Sequence, residues 1–190
     1  MSVTVTRFVR SLDSVALLDA YGDTAGVQAV NLPVRFGRPF DPAASGVGAR
    51  FHEAFQRFNR GEPIQREFLP YARALHEWLR LAGARRMWTE WSYGGEESRW
   101  RGTVDVSVAG GPRPSGIVEI KLQGRDPEDG FCEDWAQLGC YCRLAAEAGR
   151  PIDRQWAALA YILPRRRQVR VLVQNDVWRL VAPLARLEAA

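Results

Sequence analysis

The chain has 190 residues, 46% of them hydrophobic and 25% charged, with a formal net charge of +4. That size suits one domain, or a core domain carrying a helical extension, and the composition excludes an intrinsically disordered chain. No apolar run approaches the roughly 20 residues that cross a bilayer, and no basic segment leads into an apolar one near Met1, so a cytoplasmic protein without membrane contact is expected.

Residues 1–45 read as strand or short-helix fragments broken by YGD, by the Pro33–Pro42 region and by DPAASG, which suggests a poorly defined extension or cap. From Gly46 the pattern clears. Val47, Phe51, Ala54, Phe55 and Phe58 recur at helical spacing, and Gly61 supplies a stop. A second helix carries Phe68, Ala72, Leu75, Leu79 and Ala82 as its buried stripe, with Pro70 near its first turn.

Three strands follow, over Ala84–Tyr93, Trp100–Ala109 and Gly116–Leu122. The Gly-rich connections GGEES and GGPRPS predict an antiparallel meander. Phe131–Ala148 reads as a helix with Phe131, Trp135, Leu138 and Cys142 as its apolar stripe. Trp156–Leu163 and Val169–Gln174 are further strands, and Val177–Val181 extends the pairing. The order predicts a single α/β (α+β) domain, a mixed central sheet flanked by helices.

Asp105 and Glu119 each sit among β-branched residues on neighbouring strands. Apolar strand neighbours are poor company for a carboxylate unless something compensates its charge. Glu119 and Lys121 are two apart, so they leave the same face, and the turn between the strands brings Asp105 beside them. Lys121 is the one lysine among 26 basic residues. Where arginine serves as the general cation, a lone lysine marks a place for a compact ammonium rather than a broad guanidinium. Two carboxylates and an ammonium suit a divalent-metal site with a cationic helper, and the hard oxygen ligands favour Mg²⁺ or Mn²⁺.

The chain resembles the PD-(D/E)XK nuclease superfamily, in its RecB-like and phage-exonuclease-like branch. The resemblance rests on GARFH (Gly48 to His52), GTVD (Gly102 to Asp105), EIK (Glu119 to Lys121) and QLGCY (Gln137 to Tyr141), in that order. It covers roughly residues 46–174 and implies a restriction-endonuclease-like core. By that resemblance Asp105, Glu119 and Lys121 are catalytic. Asp105, Glu119, the Ile120 carbonyl and His52 hold the metal, while Gln137 and Tyr141 contact substrate or brace the site. The iron–sulfur members hold a cluster with four spread cysteines. Cys132, Cys140 and Cys142 do not follow that layout, so no cluster is expected and the thiols read as helix-packing groups. His76 reads as structural, and Glu90 either supports the site or faces solvent.

Arg165, Arg166 and Arg167 cluster in a turn, with Arg170 just beyond, and Arg99 and Arg101 flank Trp100. Arginines with an interleaved aromatic suit phosphate contact and base stacking at single-stranded or frayed ends. The function expected is a metal-dependent exonuclease acting on linear DNA ends or single-stranded tails in recombination or repair. A structure-selective endonuclease and a non-catalytic nucleic-acid-binding or assembly subunit remain open. The resemblance also implies a homo-oligomer, and a single-strand-annealing or helicase partner, as arrangements to test.

Overall fold

The structure is a computed structural model describing residues 3–23, 25–36, 39–94, 98, 100–109 and 115–189. Its elements run β1 (Val3–Thr4), α1 (Val5–Arg10), α2 (Ser14–Tyr21), β2 (Val27–Pro33), α3 (Val47–Asn59), α4 (Leu69–Leu81), β3 (Arg86–Tyr93), β4 (Trp100–Ala109), β5 (Ser115–Leu122), α5 (Cys132–Glu147), β6 (Gln155–Leu163), β7 (Gln168–Gln174) and α6 (Trp178–Ala189).

Among the described residues the strands form one mixed sheet in the order β1-β4-β5-β6-β7-β2, with β3 also along β4. The meander pairs β3 with β4 and β4 with β5, both antiparallel. β5 and β6 are parallel, so the chain must cross over between them, and α5 is that crossover. This is the restriction-endonuclease-like arrangement, a mixed sheet with helices on both faces.

The sheet separates two cores. α3 and α4 pack Phe51, Phe55, Leu75 and Leu79 against Val106, Val118, Ile120 and Ile162. On the other face α1, α2, α5 and α6 enclose Val104, Ile117, Leu159 and Leu172. β6 alternates between them, Leu159 and Tyr161 to one side and Ala160 and Ile162 to the other, and is buried throughout. A strand covered on both faces reads as a near-continuous apolar run, as WAALAYIL does.

Residues 3–23 and 25–33 belong to this architecture. β2 closes one edge by pairing antiparallel with β7, and α1 and α2 place Val5, Val9, Leu17 and Tyr21 in the core beneath α5. Two expectations are corrected. Val177–Val181 does not extend the sheet; α6 begins at Trp178, and buried Leu180, Val181, Leu184 and Leu187 follow the helical period, with Val177 buried just before it. Five residues were too short a window to separate the two periods. α5 is also buried over far more than one stripe, because α1, α2 and α6 cover it. At Gly139 a Cβ would lie 2.4 Å from the Leu180 carbonyl oxygen, so the close approach of α5 to α6 requires glycine there.

Candidate metal centre

The β4–β5 ladder runs from Val108↔Gly116 to Val106↔Val118 and then stops. Where the strands part, a side chain takes over a backbone role: Asp105 Oδ2 accepts the Ile120 amide at 2.6 Å. Its other oxygen meets α3, with His52 Nδ1 at 2.8 Å from Oδ1. Helix periodicity points His52 along the flank of α3 toward the sheet, one residue from fully buried Phe51.

Glu90 joins them from β3. Thr89 pairs with Val106 and Trp91 with Val104, so Glu90 lies opposite Asp105. Its φ of 54° is left-handed in the middle of a strand. For a residue with a Cβ this conformation costs about 1–3 kcal/mol and persists only where its surroundings enforce it. His52, Glu90 and Asp105 each offer a ligand atom, all within 4.8 Å of one another, which makes the trio able to hold a divalent cation. Side-chain exposure rises from 9% at Asp105 through 29% at His52 to 41% at Glu90, so the cluster opens to solvent on the Glu90 side.

Lys121 is fixed on the other side of the splay. Its Nζ donates to Gln137 Oε1 at 2.7 Å and to Glu119 Oε1 at 3.1 Å, and Asp134 Oδ1 lies 3.4 Å away. Gln137 Nε2 donates to the Tyr141 hydroxyl at 3.0 Å, and Tyr161 donates to Asp134 Oδ2 at 2.8 Å. The spacing of Asp134, Gln137 and Tyr141 puts all three on one helical face. Gln137 and Tyr141 thus brace the lysine. Tyr141 is itself held against Gly102, where a Cβ would come within 2.5 Å of its ring.

Burial at the two glutamates and charge crowding throughout raise the pKa values of His52, Glu90, Glu119 and Lys121. Burial, then Asp105, pushes Glu119 up to about 8 against the pull of Lys121. Burial works against the Lys121 ammonium, but Glu119 and Asp134 outweigh it and raise its pKa. His52 behaves alike: burial is opposed and overcome by the hydrogen bond and charge of Asp105, with Glu119 and Glu90 adding. Burial and Asp105 raise Glu90.

The donor set suits a divalent metal ion. Glu119 Oε2 is buried without a hydrogen-bond partner among the described residues, although Oε1 is taken by Lys121. A buried carboxylate oxygen without a partner, beside a cluster of carboxylates and imidazole, fits a further cationic ligand in addition to the lysine. Oxygen ligands with one imidazole are compatible with Mg²⁺ or Mn²⁺.

No protein-family model and no curated protein sequence matches the chain. Among solved structures, it is similar to SSO0001, with 21% identity over 64% of this chain and 59% of that one and a TM-score of 0.37. The chain therefore spans under two thirds of that protein's length. It is also similar to an alkaline exonuclease (LHK-Exo) from Laribacter hongkongensis, with 18% identity over 99% of this chain and 88% of that one, at a TM-score of 0.38. The complex of LHK-Exo with dAMP gives 18% identity and 0.34.

The structure gathers His52, Asp105, Glu119, Ile120, Lys121, Gln137 and Tyr141 in one place, puts Glu90 with them rather than in solvent alone, and adds Asp134. Asp134 was readable only as the residue three before Gln137 on a helix. The arginines are more scattered. Arg101 is exposed on β4, and Arg99 lies outside the described residues. Arg165 pairs with Asp41 at 3.7 Å, and Arg166 with Asp126. Arg167 is exposed, and its carbonyl accepts the Val34 amide. The aromatic between Arg99 and Arg101 is not a stacking platform. Trp100 is 2% exposed, its ring against Phe8 and under the Arg143 guanidinium.

Proposed function

We propose that the chain is a metal-dependent deoxyribonuclease, hydrolysing phosphodiester bonds at DNA ends during recombination or repair. The observation that carries this reading is the splay between β4 and β5, where Asp105, Glu119 and Lys121 meet His52 and Glu90. Asp105, Glu119, His52 and Glu90, with the Ile120 carbonyl, are the groups that would hold the cation. When bound, such an ion polarises a phosphoryl oxygen and favours ionisation of water at neutral pH.

The chain's own side chains do the rest. Lys121 presents a fixed ammonium, held by Glu119, Asp134 and Gln137, to negative charge gathering on the scissile phosphate. Because its acceptors are already in place, it needs little rearrangement as charge develops. Gln137 and Tyr141 keep it there. Arg101 and Arg167 are exposed cations for the substrate backbone, whereas a phosphate at Arg165 or Arg166 must compete with Asp41 or Asp126.

The Lys121–Glu119 ion pair favours a second reading, a nucleic-acid-binding or assembly subunit whose site is closed by that pair. Cleavage of end-labelled linear and closed circular DNA, single- and double-stranded, with Mg²⁺, Mn²⁺ or EDTA separates the two. Metal-dependent loss of linear DNA alone, abolished by Lys121→Ala and Asp105→Ala, is the expected result. Lys121→Arg should not restore activity, because the broader guanidinium does not fit the three acceptors. Nicked circles would indicate an endonuclease. Binding without cleavage in either metal would leave the assembly role.

A further inference from the structure

The segment after β2 and the N-terminal half of α4 enclose a groove of about 410 Å³, away from the metal centre at the β2 edge of the sheet. Its apolar lining comes from Pro33, Val34, Leu69, Pro70 and Ala74. Around that lining stand Arg35, Arg66 and Arg73, all exposed and none ion-paired among the described residues; Glu77 is the one carboxylate in the wall. Phe36 also lines it and is 92% exposed. The exposed ring enlarges the apolar surface that the groove offers.

We propose that this groove docks a short acidic segment of a partner protein, one that presents a large apolar side chain beside its carboxylates. The proposal is independent of the nuclease reading. Three guanidiniums against one carboxylate leave the rim net positive, which selects an anionic partner, and Arg forks suit carboxylates in particular. The aliphatic lining gives a phosphate backbone nothing to bind, but it accepts a Phe, Leu or Trp side chain, and Phe36 can fold over it.

A nucleic-acid track toward the metal centre is the less favoured occupant. Val34 donates to the Arg167 carbonyl, so the groove adjoins the β6–β7 turn. The arginines beyond it are only partly neutralised: Arg165 meets Asp41, Arg166 and Arg170 share Asp126, and Arg167 is exposed. What favours the peptide is therefore the apolar lining between the arginines, which a phosphate backbone leaves unfilled.

Fluorescence anisotropy tests this with labelled acidic peptides carrying a central Phe, Trp or Leu, beside controls with that residue replaced by Ser or the acids by their amides. Saturable binding of the intact peptides at low salt is expected, weakened at least about tenfold by either control, by Arg66→Glu with Arg73→Glu, and by Phe36→Ser. These exposed substitutions should leave the circular-dichroism melt and cleavage of short DNA unchanged. A labelled single-stranded oligonucleotide should bind wild type and variants alike. Failure of every peptide to bind would overturn the proposal. So would variants that weaken the oligonucleotide and spare the peptides, which would reassign the groove to nucleic acid.

Discussion

His52 Nδ1 lies 2.8 Å from Asp105 Oδ1, tying α3 of one helical layer to β4 at the point where its ladder with β5 ends. Both atoms are ligand candidates. Replacing His52 by Ala should lower Mn²⁺ affinity by roughly tenfold or more, read by calorimetry or by the Mn²⁺-induced rise in Tm. Unchanged affinity would place the ion elsewhere.

Glu90 gives a prediction in which stability and function part. Its left-handed φ of 54° is one that glycine adopts freely. Glu90→Gly should leave the metal-free protein as stable as wild type or up to about 1 kcal/mol more so, since relief of strain exceeds the entropy glycine loses. Metal affinity and cleavage should fall together. A large loss of stability in urea unfolding would show that the Glu90 carboxylate serves the fold instead.

The pH dependence of the metal-free protein has a definite sign. Glu119 moves from 4.5 to about 8 on folding, and His52, Glu90 and Lys121 are raised as well. A raised pKa means that the folded state binds protons more tightly than the unfolded chain. The Glu119 contribution is therefore fully present below 4.5 and is lost as pH rises through about 8. Tm in EDTA should fall across that window, and Glu119→Gln should flatten the fall. Saturating Mn²⁺ should reduce it too, because the cation replaces protons as the counter-charge. A Tm that rises with pH would contradict the placement of these groups.

Gly102 links packing to the lysine. A Cβ there would come within 2.5 Å of the Tyr141 ring, which braces Gln137 and through it Lys121. Gly102→Ala should destabilise the fold by about 1–3 kcal/mol in urea unfolding and lower kcat. KM should change less, because Tyr141 acts through Lys121. Wild-type kcat in the destabilised variant would disconnect the brace from the chemistry.

The amino-acid sequence by itself determined the meander, the two helices before it and the crossover helix after it. Each carries a periodic apolar pattern long enough to distinguish a repeat of 2 from one of 3.6. It also singled out the central trio. Carboxylates at Asp105 and Glu119 among valines and isoleucines, with a lone Lys121, marked the three as candidates, although that pattern alone is also met in a cross-strand ion pair and gained its reading from the motifs around it. Cys140 and Cys142 likewise pack inside α5 as their sequence setting indicated.

Only the tertiary structure decided the rest. The pairing of β2 with β7 joins residues far apart in the chain, and nothing local in VQAVNLP names its partner. Trp100 looked like a stacking residue between two arginines until α1 covered it through Phe8. Asp134 is an ordinary acidic residue in sequence, and Glu90 was divided between site and solvent; they enter the site because β3 lies opposite Asp105 and α5 faces Lys121. Local pattern reports which residues want to be buried, and in what secondary structure. Which charges end up within reach of one another depends on contacts between segments distant in the chain, and those exist only once the sheet is assembled.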